Sequence, residues 1–484
     1  MERREAEVIY DAGRDAVVEV LLRMDRQIQQ LTGRVERLER EVAKNSGNSS
    51  RPPSSDLPAS RKSKKPARPK GRSGKARGAQ LGHEGKGREL LPTSAVDEVV
   101  VYWPARCGCG HEFSAAERVA VGDPGRHQVE ELPQISTIVV EHQCPRVCCP
   151  GCGRRQRAEL SAEITASAFG PRLQAAIATL SVRNRISRRD VVELVEQLFG
   201  ARASTGSIDA ILARASDALA DPYQDLLERV RAAGALNMDE TGWRLQGAQR
   251  TLWGAFTERH AVLKVTDSRH EDHAREILAD SQAVVTSDRW WAYNHLPLDR
   301  RQVCWSHLQR DFQAHAEGLG AEQEFGELGL EICDELFWAW EIYEHTSDRR
   351  ELKRRITQLR RQLKPILRTY SSKAPRYKRT RGLARNLLKV WPALWTFATA
   401  KNVTPTNNHA ERGLRSAVIY RKLSLGSQSS DGETRIARLL SAHTTCRLQG
   451  RSLFEYLADA LDHHARGAPV PLLAQNTPKP KRTN

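Results

Sequence analysis

The sequence lacks the features of a membrane-bound or secreted protein. No apolar run reaches the length that spans a bilayer, and no signal-peptide pattern opens the chain. Cysteine is also scarce: the 484 residues contain nine, and six of these lie between Cys107 and Cys152. In a reducing compartment such a cluster favours a metal site over disulfides. We therefore expect a cytoplasmic protein without a membrane partner.

Acidic residues are too few to balance the basic ones. Lys and Arg number 76 against 59 Asp and Glu, which gives a formal net charge of +17. Residues 51–78 alone contain ten Lys or Arg and one Asp. An excess of this size predicts a polyanionic partner, most simply nucleic acid, whose phosphates the basic segment would contact. A generically basic protein with a solvated tail is the alternative.

Residues 1–44 carry a heptad pattern in front of a linker. Apolar residues recur at alternating spacings of four and three: Val17, Leu21, Met24, Ile28, Leu31, Val35, Leu38 and Val42. This pattern predicts a coiled coil that makes the protein a homo-oligomer, at least a dimer. A helix docked on its own chain is the alternative. Residues 45–96 have the composition of a disordered, basic linker.

Residues 97–158 form a cysteine-rich segment. Two short motifs, Cys107-Gly-Cys109 and Cys149-Pro-Gly-Cys152, flank a stretch, Val129–Glu141, whose pattern predicts a β-hairpin. The economical interpretation is one structural Zn²⁺ ion held by four thiolates: Cys107, Cys109, Cys149 and Cys152. Cys144 or Cys148 could replace a member of either pair, and free buried cysteines are the alternative.

Residues 159–233 read as a helical region rich in arginine. The predicted helices are Pro171–Leu180, Val191–Phe199 after a capping box at Ser187, and a third from Ser204 or Thr205 to about Ala218. Two helices joined by a short turn containing Gly200 fit a DNA-binding helix-turn-helix, although helix pairs occur in any α-rich protein. In that case four arginines would lie near DNA phosphates: Arg183, Arg185, Arg188 and Arg189.

Residues 234–310 alternate strands with one helix. After a first strand that leads to Asp239, the predicted elements are strands Thr251–Thr257 and Ala261–Thr266, helix His270–Leu278, strand Ala283–Thr286 and a fifth strand near Gln302–Trp305. This order, with acids on the first and fourth strands, predicts an α/β ribonuclease H-like core. The remaining segments are predicted as a helical insertion (311–403), C-terminal core helices (404–466) and a disordered tail (467–484).

Three acidic positions, far apart in the sequence, can converge in such a core. They are Asp239 or its neighbour Glu240, then Asp288, then Glu411. Three carboxylates could hold two Mg²⁺ (or Mn²⁺) ions that clamp the attacking and leaving oxygens of a phosphodiester. Adjacent strand residues face opposite ways, so only one of the first two acids can serve. Alternatively, Asp288 forms a turn and Glu411 caps its helix.

Several residues near these acids have two interpretations. Arg412 and Arg415 would contact phosphate or pair with surface acids. His307 fits a satisfied core histidine better than a group that faces the acids. For three aromatic residues after the second acid, core packing is a better expectation than stacking on an unpaired base: Trp290, Trp291 and Tyr293.

Taken together, these motifs resemble the DDE transposases of bacterial insertion sequence family 66. The resemblance covers nearly the whole chain and rests on motifs that occur in the family's order. They are N-S-G-N-S-S-R-P-P-S-S-D at 45–56, Q-L-G-H-E-G at 80–85, the cysteine-rich segment, M-D-E-T-G-W at 238–243, C-W-S-H at 304–307 and N-N-H-A-E-R at 407–412.

The resemblance implies a transposase whose acidic triad is Asp239, Asp288 and Glu411. Such an enzyme cleaves DNA at the ends of its element and joins them to a target, by a cut-and-paste or replicative route and without a covalent protein–DNA intermediate. Double-stranded DNA of the nucleoid would be its substrate, and helper proteins from the same element could take part. A DNA-binding regulator with an inactive core and a ribonuclease H-like nuclease are the alternatives.

Overall fold

A computed structural model of the protein describes residues 89–372 and 377–473, together with single positions between residues 10 and 29. The predicted coiled coil therefore lies almost wholly outside the described residues, as do most of the basic linker and the tail from residue 474. The chain divides into two units. Of the described residues, the small unit contains 89–137 and 198–200, and the large unit contains 138–197, 201–372 and 377–473.

The small unit has little regular structure. It contains two short 3-10 helices, Thr93–Ala95 and Ala115–Glu117. The β-hairpin predicted over Val129–Glu141 is wrong, because this stretch, described in full, contains no strand. Its apolar residues, Val129, Leu132, Ile135 and Ile138–Val140, do not alternate strictly with polar ones, and Val129 and Val139 remain 79% and 87% exposed. A strand needs a partner and a face to bury, and a stretch rich in Val and Ile alone supplies neither.

In the large unit a small antiparallel hairpin, β1 (Arg146–Cys148) and β2 (Arg155–Arg157), precedes a short helix, α1 (Ala162–Thr165). The arginine-rich region then forms four helices: α2 (Pro171–Val182), α3 (Arg188–Phe199), α4 (Thr205–Ala218) and α5 (Ala220–Arg231). The predicted caps are confirmed, since the Ser187 and Ser204 hydroxyls accept the backbone N–H of Asp190 and Ser207. Gly200 ends α3 at a positive φ of 66°.

A five-stranded mixed sheet forms the centre of the large unit. Its strands are β3 (Ala235–Leu245), β4 (Ala248–Phe256), β5 (Ala261–Thr266), β6 (Val284–Ser287) and β7 (Arg301–Val303), with helix α6 (Glu271–Leu278) before β6. The order in the sheet is β5-β4-β3-β6-β7, with β3–β4 and β4–β5 antiparallel and β3–β6 and β6–β7 parallel. This architecture is compatible with the predicted ribonuclease H-like core.

The pairing of β3 leaves half of one edge open. It pairs with β4 from Asn237 to Leu245, but with β6 only from Ala235 to Asn237. Beyond Asn237 the other edge of β3 is therefore free of strand pairing where β6 has ended. A loop returns to the tip of this edge, because the backbone N–H of Ser427 donates to the Arg244 carbonyl. Acidic residues at the ends of β6 and along β3 consequently meet at this edge.

Helices follow the sheet, as expected for the insertion and the C-terminal region. They are α7 (Trp305–Ala316), α8 (Ala321–Thr346), α9 (Arg349–Ser371), α10 (Lys378–Lys389), α11 (Asn408–Ser424), α12 (Ser430–Gln449) and α13 (Leu453–Ala465). Helices α7–α10 share one apolar core that includes the buried Trp305, Phe312 and Phe325. Within the described ranges, no helix has the length and apolarity that crossing a membrane would require.

Candidate active site

Asp239 lies on β3 and is half-buried at the open edge. Burial raises the pKa of its carboxyl well above the usual range, and the negative charges of Glu240, Asp288 and Glu411 raise it further. Charges act on one another in this way only over short distances. The fold therefore brings the three predicted acids into one neighbourhood, although they come from a strand, a strand end and a distant helix.

Asp288 follows β6 directly and holds the turn that it begins. Its Oδ1 accepts the backbone N–H of Trp290 at 2.8 Å, and the guanidinium of Arg301 donates to its carbonyl oxygen at 3.1 Å. The turn-forming interpretation is thus correct as far as it goes. The second carboxylate oxygen lies 3.9 Å from the guanidinium of Arg269, and the side chain keeps 20% of its surface exposed. One oxygen therefore orients the turn while the other lies near Arg269.

Glu411 does not cap its helix. Helix α11 begins at Asn408 after the N-cap residue Asn407, and no side chain closes that cap. The carboxylate of Glu411 instead lies 3.4 Å from Arg310 and 3.7 Å from His307, both on α7. The spacing that suggested a capping box has a different cause, because this acid points towards the C-W-S-H helix.

Asn407 ties the start of α11 to β3. Its side-chain amide donates to the Met238 carbonyl at 2.7 Å, and its side-chain oxygen accepts the Asn237 amide at 3.0 Å. Its backbone N–H donates to the Cys304 sulfur at 3.1 Å. These buried bonds connect three of the sequence motifs at one point. They fix the position of Glu411 relative to Asp239, which neither motif could do alone.

Two glycines allow α11 to approach the sheet. A Cβ at Gly413 would lie 2.3 Å from the Phe256 ring, and one at Gly254 would lie 2.5 Å from the same ring. The buried Phe256 is therefore clamped between a glycine of β4 and a glycine of α11. Glu411 lies two residues before Gly413, so this close packing also sets its depth over the sheet.

Glu240, unlike Asp239, does not have a carboxylate that is free to join Asp288 and Glu411. Its side chain is 1% exposed and is engaged by the Arg269 guanidinium and the Tyr293 hydroxyl. Burial raises the pKa of Glu240, as does the charge of Asp288, while the Arg269 charge lowers it. The alternation of β3 thus sends Glu240 into an internal ion pair and leaves Asp239 for the cluster.

The expectation that His307 is a satisfied core histidine is wrong. Its Nδ1 is buried without a hydrogen-bond partner and lies 3.7 Å from the Glu411 carboxylate. Burial and the nearby Arg310 charge lower its pKa, whereas Asp288 and Glu411 act in the opposite direction. The position of C-W-S-H before a helix gave no sign of this, because one residue of α7 in either direction would have turned the ring away.

The aromatic residues after Asp288 divide into two kinds. Tyr293 is fully buried, as the core interpretation predicts. Trp291 is 42% exposed and touches the edge of His270, and the Arg269 guanidinium lies 4.0 Å above the Trp290 ring. Core packing is therefore correct for Tyr293 and wrong for Trp291.

The family described as "Transposase IS66 family" matches residues 166–435, which include all three acids. The chain belongs to this family. A description "Family of unknown function (DUF6444)" matches residues 3–89. The "Uncharacterized protein y4hP" of Sinorhizobium fredii (strain NBRC 101917 / NGR234) is 25% identical over 409 residues, which cover 75% of this chain and 71% of that protein. Membership in this family supports a transposase role, acting on nucleic acid, and confirms the resemblance.

The predicted DNA-binding arginines of this IS66 family member differ in their surroundings. Arg412 and Arg415 are exposed on α11, beside Glu411. Arg189 is exposed at the start of α3, and Arg185 is half-buried at a positive φ of 62°. Arg188 forms an ion pair with Asp209 of α4 at 2.6 Å, so its charge is already partly balanced.

The cysteine motifs form two similar turns. Cys107 and Cys149 each donate their N–H back across a turn that contains a positive-φ glycine, Gly110 or Gly153. Backbone N–H groups lower the pKa of both thiols, as in thiolate ligands of zinc. Cys107 and Cys109 belong to the small unit, whereas Cys144, Cys148, Cys149 and Cys152 belong to the large one. The zinc site stays a prediction.

IS66 transposases, like DDE transposases generally, use divalent metal ions, and the chemistry of the acid cluster fits such ions. The neighbouring carboxylates raise the pKa of Asp239 by repulsion, and a divalent cation would relieve that repulsion. Across the described residues, no three thiol, imidazole or carboxylate groups are already placed as ligands of a single ion. Sequence reasoning missed Arg269, Arg310 and Asn237, because each acts through a contact with a residue far away in the chain.

Proposed function

We propose that this protein catalyses metal-dependent cleavage of DNA at the ends of its insertion sequence and joins those ends to target DNA. The catalytic acids of this proposal are Asp239, Asp288 and Glu411. The observation that carries it is the convergence of their charges at the open edge of β3, in a chain that belongs to the IS66 family. A site of this kind performs phosphoryl transfer by direct attack, with no covalent enzyme intermediate.

Each acid has a role that follows from its position. Asp239, whose pKa responds to both other acids, would hold two Mg²⁺ or Mn²⁺ ions together with Asp288 and Glu411. When bound, such ions activate a water or a 3′-hydroxyl and stabilise the leaving oxygen. The chain itself orients these ligands: the turn at Asp288 and the ties of Asn407 to β3 hold the carboxylates before substrate arrives.

Exposed arginines beside the acids would bind the DNA backbone. Arg412 and Arg415 emerge from the same helix as Glu411, and Arg185, Arg188 and Arg189 lie at the predicted helix-turn-helix. Phosphate contacts of this type position DNA without reading its sequence. The coiled coil would make the enzyme at least a dimer, which suits the pairing of two element ends in the cytoplasm. Helper proteins of the same element could act with it.

The test is Mg²⁺-dependent cleavage and strand transfer with a plasmid that carries the element's own ends. We expect Asp239→Asn to abolish both reactions, because a neutral amide cannot supply the negative charge that would hold the metal ions. Binding to the element's ends should persist. Asp217→Asn is the matched control, because the Asp217 side chain is 66% exposed and its contact with Arg438, at 4.0 Å, is long for an ion pair. Strand transfer that survives Asp239→Asn would refute the proposal.

The same assay separates the alternatives. Wild-type protein that binds the ends and never nicks them would be a regulator with an inactive core. Cleavage without joining to a target, and without preference for the ends, would be the activity of a nuclease. Short inverted repeats immediately around the gene would favour the transposase over the nuclease before any protein is made.

A further inference from the structure

A basic cleft of about 850 Å³ opens at the edge of β3 beside the acids. Its walls are the outer half of the β3–β4 hairpin, the loop after β5 and one side chain of α11. The lining residues with charged side chains are Glu240, Arg244, Arg250, Asp267, Arg269 and Arg421. Four of these six are arginines, so the cleft has a positive lining next to an acidic cluster.

The cleft lies next to the acid cluster. At its inner end the Arg269 guanidinium lies 3.9 Å from the Asp288 carboxylate. A strand rises roughly 3.3 Å per residue, so Arg244 lies about 17 Å along β3 from Asp239. That distance equals the rise of about five nucleotides in one strand of a duplex. DNA that placed a phosphodiester at the acids would therefore extend along this cleft.

Two of the four arginines are already paired. Arg269 is neutralised by the buried Glu240, and Arg250 lies 3.4 Å from Glu433 of α12. These ion pairs hold the cleft walls together and leave little net charge for a ligand. The charge that a partner would meet must come from the other two arginines.

Arg244 and Arg421 have no carboxylate partner among the residues that the structure describes. Arg244 donates to the Gly247 carbonyl at 2.8 Å, and Arg421 donates to the Thr241 hydroxyl at 3.1 Å and to the Gly242 carbonyl. Burial lowers the pKa of Arg421, and the charge of Arg244 lowers it further. Two mutually repelling guanidiniums at one cleft are stabilised by an anion that both can contact.

We propose that this cleft binds the phosphodiester backbone of the DNA about five nucleotides from the bond being cut, through Arg244 and Arg421. The proposal rests on the proposed function, which supplies the DNA and its position at the acids. Guanidiniums match phosphate oxygens in geometry as well as charge. A purely structural role, with Arg421 tying α11 to β3, is the outcome that the test must exclude.

Arg244 is the better residue to change, because it is exposed and its guanidinium donates only within its own hairpin, to the Gly247 carbonyl. For Arg244→Ala in the full-length protein, we expect weaker binding of a fluorescent duplex of mixed sequence. The slope of log affinity against log salt should fall by about 0.9, the loss of one phosphate contact. Arg361→Ala is the control, since Arg361 is exposed on α9, far along the chain from the cleft residues. A slope equal to that of the wild type would overturn the proposal.

A crosslinking experiment locates the DNA independently of affinity. A photoreactive amino acid in place of Gln249, an exposed residue of the cleft, should form an adduct with the same duplex on irradiation. The same substitution at Gln358, exposed on α9, should form none. No adduct at Gln249, or equal adducts at both, would overturn the proposal. Both measurements need only DNA binding, so they fail or succeed separately from the cleavage test of Asp239→Asn.

Discussion

The cysteine-rich segment and the catalytic core of this protein are stabilised in different ways. The core buries large side chains completely, among them Trp243, Trp253 and Trp305. In the cysteine-rich segment Val121 and Val139 are 95% and 87% exposed. Burial of apolar surface is the main favourable term in folding, so the core is stable through its own packing and the segment is not. A small segment with so little core needs another source of stability, such as a metal.

The two expected metals would have different roles in the protein. Zinc at the cysteines would supply folding free energy, because such ligands come together only in the folded state. Magnesium at the acids would relieve repulsion among carboxylates that the fold of the core brings near one another. Removing each metal should therefore affect a different part of the molecule, and to a different degree.

The largest effect is expected from removing zinc. Structural zinc contributes about 10–16 kcal/mol of apparent binding free energy in small zinc domains. A strong chelator, or Cys152→Ser, should release the bound zinc and make residues 97–158 sensitive to protease, while the thermal transition of the core persists. Metal analysis and limited proteolysis measure both. Cys144→Ser should retain zinc if the four predicted thiols are the ligands, and purified protein without zinc would contradict the prediction.

A glycine pair tests how strictly the core depends on packing. A Cβ at Gly413 would meet the Phe256 ring at 2.3 Å, so Gly413→Ala should destabilise the core by about 1–3 kcal/mol. It should also slow cleavage, because α11 must move and Glu411 moves with it. Chemical denaturation and the cleavage assay measure the two effects, and zinc content should not change.

The matched control is Gly382→Ala in α10. Nothing lies within 4 Å of a Cβ at Gly382, and alanine favours a helix interior over glycine by about 1 kcal/mol. This variant should therefore be slightly more stable and fully active. If the two variants had equal stability, the close packing of α11 on the sheet would not be what positions Glu411.

Sequence patterns predicted the core well and the cysteine-rich segment poorly, for a physical reason. The strands, the caps at Ser187 and Ser204 and the order of acids are local patterns that packing then reinforces. The stretch Val129–Glu141, predicted as a hairpin, has no face to bury, so packing does not reinforce its local pattern. At the site, the acids could be chosen by motif, but the orientation of His307 and the ties of Asn407 depend on contacts between residues more than 100 positions apart.

Magnesium should stabilise the core modestly and in a pH-dependent way. Burial and the neighbouring charges raise the pKa of Asp239, so without metal they oppose its ionised form more in the folded protein than in the unfolded chain. The associated stability is complete below the carboxyl's ordinary pKa and is lost as pH rises through its raised value. Mg²⁺ binds the ionised form, so its effect on the melting temperature should grow over the same pH range. At a Mg²⁺ concentration a hundredfold above Kd, the increase in the free energy of unfolding would be about 2.7 kcal/mol.

Asp239→Asn sharpens this prediction by removing the titrating group. The variant should lose both the fall in stability with rising pH that Asp239 causes and most of the Mg²⁺ effect. Glu240 shifts in the same direction, so a residual dependence of the same sign should remain. Asp217→Asn should behave as the wild type. A magnesium effect that is independent of pH would mean that the ion binds elsewhere.

The smallest effect on stability is expected from His307→Asn, which should change the cleavage reaction and leave both the core and the cysteine-rich segment folded. The ring lies 3.7 Å from the Glu411 carboxylate with no hydrogen bond between them, so we infer that it positions this acid by packing beside it. Loss of a group that orients a metal ligand typically costs ten- to a hundredfold in metal affinity or activity. Activity titrated with Mg²⁺ and with Mn²⁺ should show a higher metal requirement, which a merely structural role would not produce. His345→Asn, exposed on α8, is the control. If His307→Asn lowered the melting temperature and left the metal requirement unchanged, the ring would belong to the packing of the core after all.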